Sequence, residues 1–130
     1  MSEAYEKTIV VQEDDLDELN HVNNVRYVQW IQDISKEHWI TTAPQPLREG
    51  VIWVVMHHDI AYKNSAQLGD VINVSTFIEK SRGATSVRIV EMHDAATDTL
   101  LVRSSTKWCL FNEKSLKPIR ISEEIKQVFG

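Results

Sequence analysis

Between Asn23 and about Ile40 the apolar residues Tyr27, Trp30, Ile31 and Ile34 recur at helical spacing. Val28 and Trp39 widen the same face, while Arg26, Gln29, Gln32, Asp33, Lys36 and Glu37 fall on the other. The spacing predicts one helix of about 18 residues. At about 100° per residue its apolar arc covers roughly half the circumference, wider than a helix lying on a flat sheet can bury. A chain carrying this stretch needs a partner surface that wraps around it.

The remainder supplies such a surface. A short strand is predicted over Lys7 to Glu13, and a longer one over Val51 to Lys63, with Ile52, Val54, Met56, Ile60 and Tyr62 expected on one face. Ile72, Val74, Thr76 and Ile78 share a face of the next, and two more strands are read from Ala84 to His93 and from Thr99 to Phe111. Turn signals at 67–70, 81–83 and 94–98 separate them, and a weak helical pattern closes the chain from Ser122 to Phe129. The order β-α-β-β-β-β implies an α+β fold, a curved five-stranded antiparallel sheet wrapped around one long helix. At 130 residues, with no repeat or Gly/Ser linker, a single domain over 1–130 is expected.

Composition narrows the functions. No segment approaches the roughly 20 apolar residues of a membrane span, and the start MSEAYEKT lacks the basic and apolar regions of a signal peptide. Cys109 is the single cysteine, so no internal disulfide can form, and a cytoplasmic location is expected. A formal charge of −5 disfavours nucleic acid and anionic membrane as partners.

The stretch DLDELNHVNN, residues 15–24, is unusually polar for its place between an apolar strand and the helix. It reads as a solvated loop, a cation loop or a catalytic loop. The cation reading is weak, because Leu19 breaks the alternation of oxygen ligands and no glycine supplies the turn. His57 and His58 alternate across a strand and cannot easily share an ion; no metal is expected. His38 falls on the apolar helix face as a hydrogen-bonded core histidine, and Cys109 has no local activating group. Trp30 and Trp53 fit either a tunnel wall or plain core.

Asp15-Leu16-Asp17, followed by His21-Val22-Asn23-Asn24 and Tyr27, resembles the D-x-D…H-V-N-N-x-x-Y signature of acyl-CoA thioesterases in the 4-hydroxybenzoyl-CoA thioesterase-like branch of the hotdog fold. It is also similar to that of plant acyl-ACP thioesterases. Residues 62–70, YKNSAQLGD, resemble the family's Y-x-x-P-A-x-x-G-D segment. Within the stretch 15–24 two positions depart from the pattern: Asn20 replaces a glycine common in bacterial members, and Leu19 replaces an asparagine of the plant enzymes.

The resemblance implies hydrolysis of an acyl-CoA or acyl-ACP thioester without a cofactor, with Asp17 as nucleophile or general base. Elementary chemistry agrees, since a carboxylate can attack a carbonyl or deprotonate water, and the unpaired amides that open a helix can hold an oxyanion. Asp17, His21 and Asn24 are the candidate catalytic residues; Asn23, Tyr27 and Arg82 are candidates for substrate binding, Arg82 toward the nucleotide phosphates. His21 could orient Asp17, touch substrate or merely fill the loop. A homodimer or homotetramer is expected, because a lone curved sheet leaves strand edges unpaired. Two rivals stand beside this reading, a non-catalytic hotdog that binds acyl thioesters or a carrier protein, and a hotdog hydratase or dehydratase.

Overall fold

The computed structural model describes residues 4–129. Its strands are β1 (Tyr5–Val10), β2 (Val51–Tyr62), β3 (Val71–Arg82), β4 (Thr85–Asp94) and β5 (Leu100–Asn112), forming one antiparallel sheet in the order β1-β3-β4-β5-β2. Helix α1 (Asn24–Thr42) lies against it; a single-turn α2 (Gln45–Arg48) and a C-terminal α3 (Glu123–Val128) complete the fold. This is the α+β arrangement expected from the sequence.

Helix α1 begins where Asn23 caps it, the side-chain Oδ1 accepting the Val25 N–H at 3.0 Å. It ends at Ala43, whose extended backbone is the conformation that the following Pro44 imposes. Tyr27, Trp30, Ile31 and Ile34 are buried against Ile72, Val74, Val90, Met92 and Val102. A second apolar cluster gathers Ile78, Leu110, Ile121, Ile125 and Phe129, with Trp39 and Trp53 packed on it.

Two expectations are corrected. The first strand stops at Val10 rather than Glu13, because Glu13–Asp15 form a 3-10 turn in which the Asp15 carboxylate accepts the Gln12 N–H at 2.8 Å. On β2 the face assignment fails in the first half. Val51 and Trp53 pack inward while Ile52 and Met56 are exposed, and the inward set becomes His58 and Ile60 further on. The pairing with β5 slips between Val55 and His57, so Met56 is the extra residue of a bulge and the alternation changes parity there.

One polar cluster lies inside the core. Arg88, 5% exposed, donates from Nη1 to His38 Nδ1 at 2.9 Å and to Thr76 Oγ1 at 3.0 Å. His38 is packed between the rings of Tyr5 and Phe129. Burial, and then the Arg88 charge, push the imidazole down to about 4, so it is neutral near pH 7 and offers Nδ1 as an acceptor.

A pH dependence follows. The folded His38 resists protonation while the unfolded chain takes up its proton near the ordinary histidine value, so this contribution is fully present above about pH 6.5 and is lost as pH falls toward 4. Urea unfolding should show stability declining by up to about 1.4 kcal/mol per pH unit across that window. His38→Gln, which keeps an acceptor but does not titrate, should flatten the decline. Parallel curves for the two proteins would remove His38 as its origin.

Candidate active site

The polar stretch folds into a tight loop pinned at both ends. Leu16 and Val22 bridge one another, the Asp17 N–H donates to His21 O at 2.8 Å, and the Asn20 N–H donates to Asp17 O at 3.1 Å. Asn20 sits at the loop's apex with φ +60, a left-handed conformation that glycine and, next to it, asparagine tolerate. The departure from glycine at this position is therefore conformationally conservative. Leu19 is exposed and lines neither of the two cavities described below.

The two aspartates of the motif have different surroundings. Asp15 is buried, its carboxylate binding the Gln12 N–H and, at 3.0 Å, the Arg26 guanidinium of α1, while its carbonyl accepts the Asn23 N–H at 2.8 Å. It ties the loop to the start of the helix. Asp17 is half-buried, and its Oδ1 accepts the N–H groups of Leu19 at 2.9 Å and His21 at 3.2 Å. Among the described residues nothing engages Oδ2. Two backbone donors thus orient the carboxylate while leaving one oxygen available.

A cavity of about 360 Å³ opens beside this loop, lined by Asp17, His21, Val22, Asn24, Tyr27 and the segment Tyr62 to Ser65. The loop is joined to that segment by the Val22 N–H donating to Ala66 O at 3.0 Å and by a bridge between His21 and Gln67. The Tyr27 hydroxyl accepts the Ala66 N–H at 3.0 Å; burial raises its pKa, so it stays protonated and keeps a proton to donate. The Tyr62 hydroxyl donates to Asn24 Oδ1. Asn24 is the first residue of α1, and its N–H has no acceptor among the described residues, unlike the capped Val25 N–H.

The structure therefore gathers Asp17, His21, Asn24 and Tyr27 around one cavity. Asn23 stands beside it as the helix cap. Arg82 is exposed at the far end of β3, roughly 35 Å along the strand from Val71, and lines neither cavity. Tyr62, Lys63, Asn64 and Ser65 were missed as lining residues. The motif resemblance over 62–70 was the signal that could have found them. Among the described residues no group of three or more His, Cys, Asp or Glu could hold a metal ion, and no helix is long and apolar enough to cross a membrane.

Comparison with known proteins places this geometry in a family. A chloroplastic acyl-[acyl-carrier-protein] hydrolase of Cuphea viscosissima is 27% identical over 84 residues, 65% of this chain, which spans only 20% of that plant protein's length. Among solved structures, a probable thioesterase from Escherichia coli superposes with a TM-score of 0.86 at 18% identity, covering 95% of this chain and 94% of its own. A Staphylococcus aureus protein solved in complex with CoA also gives 0.86, at 15% identity, over 98% of this chain and 82% of its own. These likenesses establish the hotdog fold. Residues 11–129 match the family model of the Thioesterase-like superfamily, and the chain belongs to that superfamily.

Proposed function

We propose that this protein hydrolyses an acyl-CoA or acyl-ACP thioester to a free acid and a thiol, with Asp17 as the reacting carboxylate. The observation that carries the reading is that Asp17, whose Oδ2 has no partner among the described residues, lines the same cavity as Asn24, whose N–H opens a 19-residue helix and likewise has no acceptor among them. Either Oδ2 attacks the carbonyl carbon and expels the thiolate, water then cleaving the acyl-enzyme, or it takes a proton from the attacking water. In both courses the Asn24 N–H and the positive end of the helix receive the charge that builds on the carbonyl oxygen. The Tyr27 hydroxyl and the His21 imidazole, on residues that line the same cavity, are the further groups offered to the substrate. Family membership, the plant relative's activity and the CoA complex of a neighbour support this reading.

The active form is proposed to be a homodimer, or a tetramer of such dimers. β2 is an edge strand of 12 residues, long and apolar, with Ile52, Val55 and Met56 exposed. Antiparallel pairing of β2 with its copy would bring the second subunit's Arg82 end of the sheet to the end that carries Asp17, since β3 runs opposite to β2. Arg82 then serves the nucleotide phosphates across the boundary, and Lys63, which lines the cavity, serves them within the chain.

Asp17→Asn should cost roughly 10²- to 10⁴-fold in kcat with little change in Tm. Asp15→Asn should do the reverse, lowering stability by about 1–3 kcal/mol through the lost Arg26 and Gln12 contacts. Retention of more than about a tenth of kcat in Asp17→Asn would sink the assignment. For the assembly, light scattering should give at least a dimer. Arg82→Glu and Lys63→Glu should raise KM for CoA esters more than for thioesters lacking the nucleotide. A monomer, or equal effects on both substrates, would count against this arrangement.

A further inference from the structure

A second cavity, of about 410 Å³, lies between the C-terminal half of α1 and the concave face of the sheet, and it shares no lining residue with the Asp17 cavity. Its apolar walls include Trp39, Trp53, Ile78, Trp108 and Phe129, and Arg88 is set among them. Trp39 meets Trp53 edge-on at 5.7 Å and stacks on Phe129 at 5.9 Å.

The guanidinium of Arg88 is only partly used. Nη1 carries two hydrogens, and both are engaged, by His38 Nδ1 and Thr76 Oγ1. One face lies over the Phe129 ring, 5.4 Å from its centroid. The Nε and Nη2 hydrogens have no partner, and no carboxylate lies within ion-pair distance of Arg88, among the described residues. Asp33, the acid that also lines the cavity, instead accepts from Gln29 at 2.8 Å on the outer face of α1. The unused edge is the pair of parallel donors that binds a carboxylate in bidentate fashion. A buried cation without a counter-ion is costly to maintain in a core. His38, neutral at pH 7, supplies no charge to compensate it.

We propose that this cavity binds a carboxylate carried on an apolar body, the carboxylate seated on the Nε/Nη2 edge of Arg88 and the body among the tryptophans. Its source is either a free acid or the far end of an acyl group whose thioester is presented elsewhere. The proposal does not depend on Asp17 being catalytic, and binding is measured without turnover.

The test uses 1-naphthoate and decanoate, each against its primary amide, followed by tryptophan fluorescence on the full chain. The acids should bind at least about tenfold more tightly than the amides. Arg88→Met should abolish that preference while keeping the amides, Arg88→Lys should retain part of it, and Asp17→Asn should leave it unchanged. The acid-to-amide comparison on the unaltered protein stands even where Arg88→Met fails to fold. Equal binding of acid and amide, no binding of either acid below about 1 mM, or a preference that survives Arg88→Met would overturn the proposal. Hydrolysis of thioesters bearing a terminal carboxylate separates the two sources: a KM advantage over the uncharged chain, lost in Arg88→Met, identifies the far end of an acyl group, whereas binding of the acids without such an advantage identifies a free acid.

Discussion

Tyr27, Trp30, Ile31 and Ile34 of α1 pack onto inward residues of β3, β4 and β5, and this contact positions everything else in the molecule. Each large apolar side chain so buried contributes roughly 1.5–3 kcal/mol, whereas the half-exposed Lys7–Glu37 pair that also joins β1 to α1 contributes at most about 1 kcal/mol. Packing therefore sets the helix in place, and the ion pair trims its orientation. Because the apolar arc is broad, the sheet must curve around it.

That placement gives the two halves of one helix different chemistry. At its N-terminal end the backbone amides and the positive end of the dipole adjoin a polar loop held by Asp15. Further along, the inward face changes from Ile31 and Ile34 to Ser35 and His38, and the sheet opposite changes from Val74 and Val90 to Thr76 and Arg88. The second half is thus a tryptophan-lined space with a cation at its base. Cys109, buried in β5, takes no part in either cavity.

The two aspartates show how one loop gives two like side chains different surroundings. Asp15 spends its carboxylate on a backbone amide and an arginine, which fixes the loop to the helix. Asp17, two residues on, has one oxygen held by amides and the other without a partner among the described residues. The same residue type is thus committed to the fold at one position and, among the described residues, keeps an oxygen without a partner at the other.

Local pattern determined the elements. Helical spacing located α1, period-two alternation located the strands, and the polar stretch with its resemblance located the loop that carries Asp17, because these signals depend on near neighbours in the chain. Tertiary pairing decided what local pattern cannot encode. The bulge at Met56 reversed which residues of β2 face inward, since register is set by β5 and not by β2 itself. Asp15 and Asp17 look alike in sequence, and only folding brings Arg26 and the Gln12 amide to one of them. The meeting of His38, Thr76 and Arg88 joins residues as far as 50 positions apart, a distance over which periodicity carries no information. The sequence thus determined which segments are helix, strand and polar loop, while three-dimensional packing alone decided which polar groups find partners and which, among the described residues, do not.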